Sequence, residues 1–233
     1  MSDQRHTRKI LAVIPAFNES ERIREVIIGT REYLPVLVVD DGSTDRTSDV
    51  AIENGAQVLR QEPNQGKGAA LIRGFRFALD NGYEAVVTLD ADGQHDPAEI
   101  PLFIAEFVKG ADLVIGQRDF RKMPFPRNIS NTIGTWSFSR ALGQHCPDNQ
   151  SGYRLHSKRM VEESLVSTEA NFEFEVEMIV RCVISGLKLS WVPIKTIYGE
   201  EKSHIKPIRH ILHFYRIVRK TRNIVSHHKQ LID

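Results

Sequence analysis

Two carboxylates and an amide follow a mainly apolar segment of the chain within five residues. The segment is residues 86–89, and the polar run is Asp90-Ala91-Asp92-Gly93-Gln94. Neighbouring anions repel each other and resist burial unless a cation lies between them. Oxygen ligands without a His/Cys set suit Mg²⁺ or Mn²⁺ holding a diphosphate better than they suit zinc. The run therefore predicts a divalent metal site at Asp90, Asp92 and Gln94, and the alternative is a solvated turn.

The composition is that of an ordinary globular protein. The chain has 233 residues, of which 41% are hydrophobic and 26% are charged, so it is long enough to bury one substantial core. Its two cysteines, Cys146 and Cys182, lack metal-ligand spacing, and no apolar stretch approaches the ~20 residues that span a bilayer. We therefore expect a protein of the reducing cytoplasm, without a transmembrane segment and without a nucleic acid partner.

Positive charge is concentrated towards the C-terminal end. Residues 202–233 contain eight Lys or Arg and a single acid, Asp233, although the formal net charge of the whole chain is only +1. Such a segment suits phosphates or an anionic membrane surface, and a solvated basic tail is the common alternative. A helix starting at Pro207 would align five apolar residues, Ile208, Ile211, Leu212, Tyr215 and Val218. The segment is thus predicted either to lie in a membrane interface or to pack on the protein body.

The order of apolar segments predicts an α/β fold with a mainly parallel central sheet flanked by helices, because short β-branched runs alternate with helical patterns. Strands are expected at residues 10–14, 36–40, 57–60, 85–89 and 113–116, and helices at 20–33, 45–54, 68–81 and 97–109. The second half is less regular. We expect a loop at 118–127, a helix ending at 143, a short strand near Tyr153, a helix at 174–184 and a strand at 189–192.

Polar motifs follow the predicted strands at the edge where such sheets bind ligands. Asp41, held by a glycine turn, is suited to accept hydrogen bonds from a base or a ribose. Arg118, on a later loop, is suited to a bidentate contact with phosphate. Residues 64–68 are compatible with anion binding at a helix start, and an ordinary helix entry is the alternative. The glycine-rich loops of ATP-binding and dinucleotide-binding proteins are absent from the sequence.

Four of these motifs resemble, as an ordered set, the donor-side signatures of family 2 glycosyltransferases of the GT-A fold. They are PAFNE at residues 15–19, DDGSTD at 40–45, NQGKG at 64–68 and DADGQH at 90–95. Three later motifs are similar to the acceptor-side half of the dolichyl-phosphate mannose synthase-like group. They are SGYR at residues 151–154, FEVEM at 174–178 and VPI at 192–194 followed by GEEKS at 199–203.

The resemblance implies a GT-A domain over residues 1–203, with a nucleotide-sugar half at 9–118 and an acceptor half at 119–203, followed by a basic helix or tail at 204–233. It implies transfer of one hexose, mannose or glucose, from a GDP- or UDP-sugar to a dolichyl or undecaprenyl phosphate. The transfer would proceed with inversion and require Mg²⁺ or Mn²⁺. It would place the protein peripherally on the cytoplasmic membrane face, through the C-terminal helix, and allow for a membrane partner subunit.

The resemblance also implies roles for individual residues. Those expected to bind the nucleotide sugar are Pro15, Phe17, Glu19, Val39, Asp41, Asp90, Ala91, Asp92, Gln94 and Lys202. Those expected to bind the acceptor are Arg118, Arg127 and Ser130. Asp92, Arg118 and Arg127 are the expected catalytic residues, and Asp92, Gln94 and Asp90 the expected metal ligands.

The acceptor is the open question. A phosphate oxygen is already ionised near neutral pH, so it needs orientation and desolvation more than proton removal. A saccharide hydroxyl would instead need a carboxylate base, for which the candidates are Asp148, Glu173, Glu175 and Glu177. The Gln-x-x-Arg-Trp pattern of processive relatives is absent, which favours a single transfer. A sugar nucleotidyltransferase and a non-catalytic sugar nucleotide-binding protein are the two alternatives from other classes.

Overall fold

The structure is a computed structural model that describes residues 9–122, 127–167, 173–195, 218, 219, 221–223 and 225, excepting the side chains of 122, 127–130 and 173. Within these ranges the chain forms seven strands and seven α-helices. The strands are β1 (Ile10–Ala16), β2 (Val36–Asp40), β3 (Gln57–Arg60), β4 (Ala85–Thr88), β5 (Leu113–Arg118), β6 (Arg154–Ser157) and β7 (Leu189–Ile194). The helices are α1 (Ile23–Arg31), α2 (Thr47–Glu53), α3 (Lys67–Asp80), α4 (Ile100–Val108), α5 (Arg127–Leu142), α6 (Lys158–Ser164) and α7 (Glu173–Ile184).

All seven strands form one sheet in the order β3-β2-β1-β4-β6-β5-β7. Every pairing is parallel except those of β6, which runs antiparallel to both β4 and β5. In the register of β1, Ala16 pairs with Asp40 of β2 and Val13 pairs with Thr88 of β4. The loops after β1, β2 and β4 therefore leave the sheet side by side, at the edge where the sequence placed the polar motifs.

Helices cover both faces of the sheet, which explains why β1 is apolar and buried along its whole length. On one face, alternate residues of β1 such as Ala12 and Ile14 pack against α1 and α4. On the other, Leu11 and Val13 pack against α3 and α7. Helix α3 approaches β1 so closely that a Cβ on Gly74 would lie 2.5 Å from a methyl group of Val13.

The predicted helices and strands are confirmed in type and order, and they differ at their ends. The predicted loop at 118–127 contains a 3-10 turn, Phe120–Lys122, and its residues 123–126 lie outside the described residues. The predicted helix 97–109 begins as a 3-10 turn, Pro97–Glu99, before α4, because Asp96 accepts the Ala98 N–H at 2.9 Å and caps that turn. Helix α6 was not predicted. It has seven residues, too few for an apolar period to emerge, and its local signal is the Ser157 cap, which accepts the Met160 N–H at 3.2 Å.

No helix in the described part of the chain is long and apolar enough to cross a membrane. Of the basic C-terminal segment, residues 218, 219, 221–223 and 225 are described and are helical. Thr221 is buried and Val225 packs against the core. This part of the predicted amphipathic helix therefore packs on the protein body, while Ile208, Ile211, Leu212 and Tyr215 lie outside the described residues.

Candidate active site

A cavity of about 370 Å³ lies at the carboxyl ends of β1, β2 and β4. It brings together seven of the residues that the sequence predicted for the nucleotide sugar, namely Pro15, Phe17, Glu19, Asp41, Asp90, Ala91 and Asp92. The other residues on its wall are Ala16, Asn64, Gly66, Lys67 and Ala70. The cavity therefore joins the four donor-side motifs, which are separated along the chain, into one site that we call the donor cavity.

The loops after β1 and β2 are tied to each other by hydrogen bonds. The Asn18 N–H donates to Oγ of Ser43 at 2.9 Å, and Oδ1 of Asn18 accepts the Thr44 N–H at 2.8 Å. Asn18 adopts a positive φ of 56°, a left-handed conformation that asparagine tolerates better than most residues. The turn leaves Phe17 46% exposed on the cavity wall, where an aromatic ring is suited to stack on a base.

The two adjacent aspartates at the end of β2, Asp40 and Asp41, hold different parts of the structure. Asp40 is fully buried and accepts the Ser43 N–H at 2.8 Å, so it holds its own turn. Asp41 accepts from Nε2 of Gln61 at 2.5 Å and from the Gln65 and Gly66 N–H groups, each at 2.8 Å. A carboxylate has about four acceptor positions, so Asp41 uses most of its capacity to hold the loop at 61–66 against the donor cavity.

The cation that the sequence required beside Asp90 is supplied by the chain itself. Nζ of Lys67 lies 2.5 Å from Oδ1 of Asp90 and 2.7 Å from Oε1 of Glu175. Lys67 is the first residue of α3 and Glu175 belongs to α7. The motif at 64–68 is therefore a helix entry that also carries a cation into the donor cavity. Sequence reasoning missed this role of Lys67, because nothing local indicates which carboxylates it meets.

Opposite charges dominate the electrostatics of this cluster. Burial alone would raise the pKa of Asp90 and lower that of Lys67. The attraction between the two groups outweighs burial, so the pKa of Asp90 is lowered and the pKa of Lys67 is raised. Beside them, burial lowers the pKa of His95, and its Nδ1 accepts the Asp90 N–H at 3.2 Å. Asp90 and Lys67 are therefore charged at neutral pH, and His95 is neutral.

Asp92 follows Asp90 in a tight turn in which Gly93 has a φ of 79°. The Gln94 N–H donates to Oδ1 of Asp92 at 2.9 Å, which fixes that carboxylate at the donor cavity. Among the described residues, no group of three or more His, Cys, Asp or Glu could hold a metal ion. Two carboxylates with oxygen donors only nevertheless fit Mg²⁺ or Mn²⁺, since such ions take further ligands from water and substrate phosphates.

Val39, which belongs to the predicted donor set, is the last residue but one of β2. Its side chain is fully buried and packs in the core between the sheet and α3, so only its main chain can face a ligand. Arg127 and Ser130 lie on α5, but their side chains are outside the described part of the structure. Lys202 is likewise outside the described residues.

Arg118 is occupied by a buried carboxylate. Its Nε and Nη2 donate to Asp148 at 2.7 Å and 2.9 Å, and Asp148 is fully buried. The bidentate contact predicted for a phosphate is therefore made here with Asp148. Arg118 also lines a second cavity of about 800 Å³ at the ends of β5 and β7. We call this the second cavity. Its wall combines two further cations, Arg121 and Lys195, with two carboxylates, Glu99 and Asp119, and with apolar groups such as Leu102, Phe120, Pro193 and Ile194.

The SGYR motif supports the donor carboxylates. Arg154 is buried and donates to the carbonyl oxygens of Ser151 at 2.7 Å and of Glu175 at 2.5 Å. It thereby fixes the start of α7, and with it the position of Glu175. Gly152 passes so close to the cluster that a Cβ would lie 2.9 Å from Nζ of Lys67. The motif that resembles the acceptor half thus builds one wall of the Lys67–Asp90 pair.

Comparison with known proteins extends these observations. The family model described as "Glycosyl transferase family 2" matches residues 11–167. The chain is 33% identical to an undecaprenyl-phosphate mannosyltransferase of Micrococcus luteus, over 82% of this chain and 85% of that protein. It is 30% identical to a UDP-N-acetylglucosamine–dolichyl-phosphate N-acetylglucosaminyltransferase of Methanococcus voltae, over 82% and 86% of the two chains.

Among solved structures, a glucosyl-3-phosphoglycerate synthase of Mycobacterium tuberculosis has the same fold, with a TM-score of 0.73 at 21% identity over 96% of this chain and 81% of that one. The family model and the relatives agree with the ordered motifs on the sheet edge, and they confirm the predicted family resemblance. The chain therefore belongs to glycosyltransferase family 2, within the dolichyl-phosphate mannose synthase-like group, and is a glycosyltransferase.

Proposed function

We propose that this glycosyltransferase moves a single hexose, mannose or glucose, from a nucleoside diphosphate sugar to a polyprenyl phosphate, with inversion and with a divalent metal. The donor half would be residues 9–118, the acceptor half 119–203, and the basic segment 204–233. The observation that carries the proposal is the pairing of two cavities at one edge of the sheet. One contains carboxylates beside Lys67, and the other combines apolar walls with arginine and lysine.

The second cavity supports an acceptor that is both anionic and apolar. Arg118, Arg121 and Lys195 bring positive charge to it beside the carboxylates Glu99 and Asp119, of which Asp119 pairs with Arg121 at 3.0 Å. Phe120 and Ile194 contribute apolar surface. A polyprenyl phosphate has a charged head that such cations attract and an isoprenoid chain that such walls can bury. The names of the Micrococcus and Methanococcus relatives, which specify undecaprenyl and dolichyl phosphate, favour the same acceptor class.

The candidate carboxylate bases favour a phosphate acceptor over a saccharide hydroxyl. Asp148 is paired with Arg118 at 2.7 Å, Glu175 with Lys67 at 2.7 Å, and Glu177 with Arg181 at 2.6 Å. A carboxylate whose oxygen atoms are held by a cation in this way has fewer acceptor positions left for a substrate hydroxyl. Glu173 is the remaining candidate, and its side chain lies outside the described residues. A phosphate acceptor needs no such base, because it is already ionised.

The proposed reaction breaks the bond between C1 of the hexose and the diphosphate, and forms a bond between C1 and an acceptor phosphate oxygen on the opposite face. The leaving group is the nucleoside diphosphate. A divalent metal held by Asp92, Gln94 and Asp90 would neutralise charge that develops on that leaving group. Lys67 would add a second positive charge, Phe17 would stack on the base, and Arg118 and Arg127 would orient the acceptor phosphate.

A lipid acceptor requires contact with a membrane surface, and we include peripheral membrane association in the proposal. The basic residues of the C-terminal segment suit an anionic leaflet. The same placement would allow a membrane partner subunit. The Mycobacterium structures that share this fold are described with Mn²⁺ and UDP-glucose, which makes UDP-glucose one natural donor to test beside GDP-mannose.

The test is a transfer assay with purified protein, Mg²⁺ or Mn²⁺, and radiolabelled GDP- and UDP-hexoses. The acceptors offered are undecaprenyl phosphate and dolichyl phosphate and, in parallel reactions, free saccharides. We expect one donor to give a labelled lipid carrying a single sugar that mild acid releases. Label in a saccharide product instead would support the hydroxyl-acceptor alternative. Tight nucleotide binding without transfer to any acceptor would contradict the proposal and support a non-catalytic sugar nucleotide-binding protein.

A further inference from the structure

Lys67 is held between carboxylates from two distant parts of the chain. Its Nζ lies 2.5 Å from Oδ1 of Asp90 and 2.7 Å from Oε1 of Glu175. Asp90 lines the donor cavity together with Asp92, whereas Glu175 comes from α7. The ammonium group thus has two anionic partners, and the proposed metal site uses only one of them.

Glu175 is a buried carboxylate whose position is fixed by the fold. Its side chain is only 5% exposed, and its Oε2 accepts no hydrogen bond from the described residues. Arg154 holds its carbonyl oxygen at 2.5 Å, so the first turn of α7 cannot easily move away. A buried carboxylate is strongly destabilising unless a cation accompanies it. Glu175 therefore favours a structure in which Lys67 stays beside it.

A divalent metal and an ammonium group compete for Asp90. Both are cations, and their mutual repulsion is strong when they share one carboxylate in a partly buried site. If Asp90 were the sole partner of Lys67, metal binding would leave the ammonium without a counter-ion. Because Glu175 lies on the other side, Lys67 can keep one partner while Asp90 turns to the metal.

We propose that Glu175 is a positioning residue that retains Lys67 when Asp90 binds a metal-bound diphosphate, so that the ammonium group stays in the donor cavity as a second cation. This inference rests on the proposed function, since it takes a nucleoside diphosphate as the ligand. It goes beyond that function because it assigns a role in donor binding to Glu175 of α7, a residue that is not part of the four donor-side motifs.

The test measures binding without turnover. Isothermal titration calorimetry measures the Kd of UDP and of GDP with and without saturating Mn²⁺. For the nucleotide that binds more tightly, the ratio of the Kd without Mn²⁺ to the Kd with Mn²⁺ is the manganese factor. We expect Glu175→Gln to reduce this manganese factor about tenfold, because Lys67 then competes for Asp90. Lys67→Met should weaken nucleotide binding without metal. In the double variant the competing cation is gone. Its manganese factor should therefore lie within about threefold of the manganese factor of Lys67→Met.

A matched control is the pair that Glu106 of α4 forms with Lys109, the residue after that helix, whose Nζ–Oε1 distance is also 2.7 Å. Glu106→Gln should leave the manganese factor unchanged, and thermal melting confirms that each variant is folded. Two results would overturn this inference alone. One is an unchanged manganese factor in Glu175→Gln. The other is a double variant whose manganese factor changes by the product of the two single-variant changes. Absence of nucleotide binding by the wild-type protein would overturn the proposed function and this inference together.

Discussion

Gly152 lies so close to Asp90 that a Cβ on this glycine would stand 2.8 Å from Oδ2 of the carboxylate. The same Cβ would lie 2.9 Å from Nζ of Lys67, so an added methyl group would push against both members of the ion pair. We expect Gly152→Ala to lower the transfer rate at least tenfold, since misplacement of catalytic groups by about 1 Å costs far more than that in enzymes. Transfer assays on the folded variant test this.

The melting temperature is the control for that variant. The crowded atoms are side-chain ends rather than backbone. We therefore expect the melting temperature of Gly152→Ala to fall by only a few degrees, which corresponds to a loss of about 1 kcal/mol in the free energy of unfolding. Full transfer activity in Gly152→Ala would show that the close contact has no role in catalysis.

Asp92→Asn removes one negative charge at nearly constant volume. Its side-chain oxygen can still accept the Gln94 N–H, which Asp92 accepts at 2.9 Å in the native turn. We therefore expect a folded protein whose metal-dependent transfer is lost, because a neutral amide is a much weaker ligand for a hard divalent ion. Transfer measured across a Mg²⁺ and Mn²⁺ series tests this, with Asp80→Asn at an exposed position as a matched control. Wild-type activity in Asp92→Asn would refute the metal assignment.

Arg118 is expected to have two separable tasks. Removing its side chain leaves Asp148 buried without its cation, so Arg118→Ala should lower the free energy of unfolding by about 3 kcal/mol. Adding Asp148→Asn removes that buried charge and should recover part of the stability. Urea unfolding of both variants measures the structural task.

The acceptor task of Arg118 is measured by the KM for polyprenyl phosphate. If Arg118 also contacts the acceptor, the double variant should regain stability while its KM remains at least tenfold raised, as expected for loss of a charged contact to phosphate. Recovery of stability and KM together would assign Arg118 to the Asp148 contact alone.

His156 predicts a pH dependence of stability. Burial, assisted by the nearby charge of Arg154, lowers the pKa of His156 to about 3. Below pH ~6.5 the unfolded chain therefore binds a proton that the folded protein does not, and stability falls as the pH is lowered towards 3. His156→Leu removes this loss. Relative to the wild type, it should gain about 2 kcal/mol between pH 7.5 and pH 5, as measured by urea unfolding. A gain that is independent of pH would contradict this assignment.

The sequence by itself determined the order and type of most elements, because buried strands and amphipathic helices have local periodicities. It also placed the donor-side motifs at one edge of the sheet, since the ends of parallel strands meet there. It missed α6, which is too short to show a period, and it did not show that the side chain of Val39, a residue of the predicted donor set, lies in the core.

Only the tertiary structure decided which charges meet. The isolated run at residues 90–94 requires a cation but cannot identify it. The packing of α3 and α7 on the same face of the sheet places Lys67 between Asp90 and Glu175. The loop at residues 148–152 brings Asp148 to Arg118. Contacts between residues far apart in the chain depend on how whole elements pack, and local periodicity contains no information about that packing.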